Sequence, residues 1–155
     1  MVKTIRLIYA SYIAGALLFA GVSYNKIQNQ NSGNIAGDES LQIIVLVIAI
    51  IMAFAGQIMS RVLIKDFKPS GFKLKEKYIE KYRLIKLIQA ASIEGGSLLN
   101  ISIYFISGNN LNLYFGLGIL VGMVFLFPSE KDLYKLFKIS EKDLEDLPKE
   151  VDDRF

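Results

Sequence analysis

The chain has 155 residues, 52% of them apolar, with a mean hydropathy of +0.37 and a net charge of +3. It contains neither cysteine nor histidine, which excludes disulfide frameworks, zinc or haem sites built on those ligands, and Ser-His-Asp chemistry. The apolar residues come in long blocks instead of recurring at helix or strand period, which is the composition of a membrane protein.

Lys3 and Arg6 precede the first block, Leu7 to about Tyr24. At 1.5 Å per residue it reaches roughly 27 Å, enough for a hydrocarbon core of about 30 Å with some snorkelling. Its basic start and small residues near Ala20 also suit an export leader; it is read here as a span. The second block runs from Leu41 to Ser60, the third from about Leu84 to Ser107, and the fourth from Leu111 to Phe127, where Pro128 stops it. The expected fold class is all-α: a polytopic four-helix membrane bundle over residues 1–128, followed by a cytoplasmic tail over 129–155.

Basic residues give the expected orientation. The connection between the second and third blocks holds Arg61, Lys65, Lys68, Lys73, Lys75, Lys77, Lys81, Arg83 and Lys86. The tail holds six more, the Ser107–Asn110 connection none, and the first loop only Lys26. Of the 18 Lys and Arg, all but Lys26 therefore lie on one side. That places both termini at the cytoplasmic face of a bacterial inner membrane. The basic 61–86 segment is expected to rest against anionic lipid, not nucleic acid. Tyr78 and Tyr82 suit an interfacial aromatic belt.

An internal repeat is also legible. IRLIYASYIAG (Ile5–Gly15) matches IKLIQAASIEG (Ile85–Gly95) at six of eleven positions. Leu41, Arg61, Leu63, Lys65 and Phe67 align with Leu111, Lys131, Leu133, Lys135 and Phe137. Two tandem two-helix units would share one orientation and relate by an axis along the membrane normal. Small residues recur at close spacing, including Ser11 and Gly15, Gly95 and Gly96, and Gly116, Gly118 and Gly122, as helix packing in lipid requires.

The third block is the most polar. Gln89, Ser92, Gly96, Asn100, Tyr104 and Ser107 fall within about 120° on a helical wheel, so this stripe must face protein or water. Gln57 and Ser11 are candidates to meet it. Glu94 projects about 140° from Gln89 and lies about 12 Å beyond Lys86, near mid-membrane. A carboxylate there costs several kcal/mol unless paired, hydrated or protonated. It is either a functional group or a helix-joining one, with Gln57 as a possible bonding partner. Asn100-Ile101-Ser102 matches a glycosylation pattern but lies within a span, out of reach.

After Pro128, Ser129 with Asp132 and Ser140 with Asp143 have capping-box form. The first tail helix carries Leu133, Leu136, Phe137 and Ile139 on one face and is expected at the interface; the acidic tail as a whole could lean on the basic segment or be solvated, and solvation is expected.

Taken together, LIYASYIAGALLFAGV and EGGSLLNISIYFISGNNLNLYFGLGILVGMVFLFPSEKDLYKLFKIS resemble a family of small four-span bacterial inner-membrane proteins with no established activity. The pieces that carry the likeness are Glu94-Gly95 before a Leu-rich stretch, the Gly108-Asn109 turn, and the Pro128-Ser129 stop. The resemblance implies the four-span fold and supplies no function. From the residues, the expected role is that of a non-enzymatic interaction or accessory subunit, assembling with copies of itself or with another membrane protein. The alternative is a small, homodimeric proton-coupled transporter with Glu94 as proton site. No catalytic, metal or cofactor residue is expected.

Overall fold

The computed structural model describes residues 2–29, 39–65, 67 and 74–138. All regular structure among them is α-helical: α1 (Val2–Asn29), α2 (Glu39–Lys65), α3 (Leu74–Ser107), α4 (Asn110–Phe125) and α5 (Glu130–Phe137). The second predicted tail helix, from Ser140, lies outside the described residues.

Each predicted span lies within a helix except the fourth, which outruns α4 by two residues. At 1.5 Å per residue α1 and α2 are both about 40 Å long. By length and composition these two can cross a membrane, and the α4–α5 pair makes a third candidate if its 80° bend is counted within one span. α3 misses that standard on its own because Gln89, Glu94, Asn100 and several serines dilute its hydropathy, and α4 because it has only 16 residues.

α3 is the centre of the fold. α1, α2, α4 and α5 all pack against it, whereas α1 and α2 hardly touch each other. Missing side chains explain the closest approaches. A Cβ on Gly96 would lie 2.7 Å from the Ala49 carbonyl oxygen, and one on Gly56 2.6 Å from Ser92 Oγ. At the α3–α4 crossing, a Cβ on Gly116 would meet Ile101 Cγ1 at 2.8 Å and the Ser97 carbonyl at 3.0 Å. Gly15, Gly118 and Gly122 behave differently: nothing lies within 4 Å of where their Cβ would be. Small-residue spacing thus marked true crossings at Gly96 and Gly116, a contact with the flexible Met52 side chain at Gly95, and open helix surface at Gly15, Gly118 and Gly122. Gly15→Ala and Gly118→Ala should accordingly be neutral or stabilising by up to about 1 kcal/mol, since they remove only the helical cost of glycine; unfolding in mixed micelles would check this.

The α3–α4 connection is the expected Gly-Asn turn. Gly108 takes φ 69°, a left-handed conformation that glycine adopts without steric cost, and its N–H donates to the Tyr104 carbonyl (2.8 Å). Asn109 then caps α4 by accepting from the Leu111 N–H (3.0 Å). Its side-chain amide also donates to Gln42 Oε1 on α2.

The sequence repeat has no counterpart in hairpin packing: α3 and α4 lie closely against each other, but α1 and α2 stand apart. One repeat-related pair does meet, since the Phe67 and Phe137 rings are 5.3 Å apart.

Candidate functional site

The polar stripe of α3 is turned inward, as its lipid-incompatible chemistry requires. Gln89, Gly96, Asn100 and Tyr104 are buried, and Ser92 and Ser107 half-buried. Gln89 Nε2 donates to Gln57 Oε1 at 3.1 Å and ties α3 to α2. Asn100 Nδ2 donates to the Gly96 carbonyl (3.1 Å) within its own helix. Ser97 reaches across to the Gly116 carbonyl of α4 (2.8 Å). Gln89 Oε1, Asn100 Oδ1, Tyr104 Oη and Asn112 Nδ2 are buried without a hydrogen-bond partner among the described residues.

Two expected contacts are not made. Ser11 stays on the exposed face of α1 and donates to the Leu7 carbonyl one turn back (2.9 Å); it does not meet the stripe. Gln57 accepts from Gln89 through its Oε1, and no bond between Gln57 and Glu94 is made among the described residues. A local back-bond satisfies a serine hydroxyl on a lipid-facing helix, which removes any demand on Ser11 to face inward.

Glu94 is half-buried and has neither a hydrogen-bonding nor an ionic partner among the described residues. Its turn of the helix is shared by Ala90, one turn earlier and buried in the main core, and Leu98, one turn later and packed against that core. Neither neighbour has a side-chain polar atom. An extended glutamate spans only about 5 Å, well short of the roughly 12 Å that separate its position from that of Lys86 along the helix.

A second cluster gathers where α4 ends. Pro128 cannot continue the helix, and the break strands the last carbonyls of α4. Side chains from α1 and α3 supply the missing donors: Arg6 Nε to the Pro128 carbonyl (3.0 Å) and Lys86 Nζ to the Leu126 carbonyl (3.2 Å). Ser129 caps the new helix by accepting from the Asp132 N–H (3.1 Å), and its own backbone is held by Tyr82, whose hydroxyl donates to the Ser129 carbonyl (2.9 Å) and accepts from its N–H (3.2 Å). Lys86, only 5% exposed, also faces Asp132 across 3.6 Å. Tyr9 joins α1 to the same point through the Lys86 carbonyl (2.8 Å) and an edge-on contact with Phe127. On the far side Phe137 stacks with Phe67 and Tyr78.

Two sequence readings change here. Lys86 is not a free charge of the basic segment but a buried, committed one. The first tail helix, expected at the interface, packs onto the bundle: Leu133 is buried in the core, and Asp132 leans on Lys86 of the basic segment, the alternative to a solvated tail. The capping box at Ser129 and Asp132 was the one legible sign of this corner. The roles of Arg6, Tyr82 and Lys86 carried no signal, because a basic residue or tyrosine near a span end already fits topology and interface rules.

Burial, reinforced by the Asp132 carboxylate, pushes the Tyr82 hydroxyl up to about 12. A raised value means that folding favours the protonated phenol. Its contribution is complete below pH 10, the ordinary tyrosine value, and is lost as pH rises from there through about 12. Alkaline titration should therefore release α5 over that window, as read by spin-label mobility at Lys135. Tyr82→Phe should reduce the transition to what the Lys86–Asp132 pair contributes and lower stability by about 1–2 kcal/mol, because both backbone groups of Ser129 lose their partner.

No protein-family model, curated protein or solved structure shows significant similarity to this chain.

Proposed function

We propose that this is a four-span protein of a bacterial inner membrane with both termini in the cytoplasm, serving as an interaction or accessory subunit and not as an enzyme. α1, α2, α3 from about residue 84, and α4 up to the bend cross the bilayer, and α5 lies at the cytoplasmic interface. The distribution of Lys and Arg supports the orientation, and the sequence repeat is the trace of a duplicated hairpin whose copies now pack differently.

The observation that carries the subunit reading is Glu94. A carboxyl near mid-membrane is expensive, yet this one joins no helices of its own chain and has no partner among the described residues. A group retained under those conditions is best explained by something outside the chain that satisfies it.

Reporter fusions after Phe155 and in the 30–38 segment test the topology; an external C-terminus would overturn it. A photo-crosslinker at exposed Ala91 tests the role in intact cells. A discrete adduct that disappears with Glu94→Leu supports a subunit. Proton-driven flux by the purified protein in liposomes, abolished by Glu94→Gln, would favour the transporter instead.

A further inference from the structure

We infer that the gap between α1 and α2 beside Glu94 receives one transmembrane helix of a different protein, carrying a lysine or arginine at mid-membrane depth. The inference rests on the subunit reading above and names the chemistry of the partner.

The gap follows from the packing. α1 and α2 both lean on α3 without closing on each other, and a strip of α3 remains uncovered between them. Leu84 is 46% exposed on this strip, and Ala91, two turns on, is exposed as well. Leu98, a further two turns along, is only half-buried. Residues seven apart return to nearly the same azimuth, and Glu94 lies within about 60° of Ala91 and about 40° of Leu98. The open strip and the unpartnered carboxyl therefore adjoin. With alanine at its middle, the strip lets an incoming backbone approach closely.

Lipid tails would fill the gap but leave the carboxyl unsatisfied, and at this depth the side chain does not reach the headgroups. What complements a membrane-buried acid is a cation or a strong hydrogen-bond donor. A second copy of this chain has no Lys or Arg within residues 7–24, 41–60, 87–107 or 111–127, and basic side chains that flank them are engaged. Lys86 is held by the Leu126 carbonyl and Asp132, Arg6 is held by the Pro128 carbonyl, and Lys26 lies over the Phe105 ring at the other end of α1. A cation at this depth would therefore come from another protein, and its pairing competes with simple protonation of the carboxyl. Pairing there offsets the cost of burying each charge, and it discriminates sharply between a cationic and an apolar partner.

The test uses the full chain, labelled with a donor fluorophore, in phosphatidylcholine vesicles. The probes are synthetic Leu/Ala transmembrane helices that carry acceptor dye and, at the central position, lysine, glutamine or leucine. The lysine helix should associate about tenfold or more tightly than the leucine helix, a difference of about 1.4 kcal/mol, with glutamine between them. Glu94→Gln should erase the preference and Glu94→Asp should keep it. Ala91→Trp, which fills the gap, should weaken binding of every helix. Equal binding of lysine and leucine helices would overturn the inference, as would a lysine preference that survives Glu94→Gln. Self-association that depends on Glu94 would overturn it too, by making a second copy the occupant. If the Ala91 crosslink in cells persists while the vesicles show no lysine preference, the subunit reading stands and only the cationic partner falls.

Discussion

Replacing Asp132 with alanine should cost about 3 kcal/mol, far more than replacing Lys86 with methionine. The asymmetry comes from burial: the Lys86 side chain is 7% exposed, but Asp132 is 41% exposed. Loss of the carboxylate leaves a buried ammonium with only the Leu126 carbonyl and the face of the Tyr82 ring beside it, the situation that makes breaking a buried pair expensive. It also removes an acidic side chain from the first turn of α5, where it favours the helix dipole. Loss of the lysine instead leaves an aspartate that water already reaches, and methionine fills most of the vacated volume. Lys86→Met should therefore cost about 1 kcal/mol, chiefly for the unpaired Leu126 carbonyl. SDS-driven unfolding of the two single variants and the double variant in mixed micelles would measure both costs and their coupling. The double variant should resemble Lys86→Met alone. A lysine variant weaker than the aspartate variant would show that the ion pair is not the organising contact of this corner.

Gly96→Ala should also be severely destabilising, by about 2–3 kcal/mol, although it adds one methyl group. The methyl would sit 2.7 Å from the Ala49 carbonyl oxygen, and backbone cannot rotate away as a side chain can. α2 would have to slide or lift from α3, and overpacking of this kind typically costs 1–3 kcal/mol or more. Because Gln57 lies on the same helix, the shift should also break the Gln57–Gln89 bond. Gly56→Ala is the informative comparison. The atom it meets first is Ser92 Oγ, which has some freedom to turn, although the adjoining Cβ at 2.7 Å has none. Its cost should be comparable to that of Gly96→Ala, and smaller only if the α3 helix itself can give. A disulfide reporter between α2 and α3 would show whether the helices separate.

What the sequence disclosed followed the period and length of its signals. Hydropathy blocks placed the four long helices, because a run of about 20 apolar residues has few other uses. Ser129 was legible as a helix start, and Gly108-Asn109 as a turn, because capping and turn chemistry are local to residues a few positions apart. The inward turn of Gln89 and Asn100 was legible because lipid forbids the alternative. Which helix each stripe would meet was not, since azimuth and neighbour are set by shape at crossings such as Gly96 against Ala49. Gln57 illustrates this: it was a candidate both for the stripe and for Glu94, and it meets the stripe at Gln89, a choice the wheel alone did not make. Lys86 was misjudged for another reason. Near a span end a lysine serves topology whether or not it also turns inward, so its sequence context was already fully accounted for.

The clasp at the end of α4 also bears on how the chain is made. Lys86 emerges from the ribosome well before Leu126 and Asp132, the two groups that accept its charge. During that interval α3 carries an unsatisfied cation at one end and, in Glu94, an unsatisfied acid further in. Such a segment is a poor candidate to enter lipid alone. On the four-span topology proposed above, α3 is expected to be held at the insertion machinery until the last helices are synthesised, and then released with them as a unit. Truncation before Asp132 should leave the third helix stalled and exposed to quality-control proteolysis, whereas truncation after Lys138 should not.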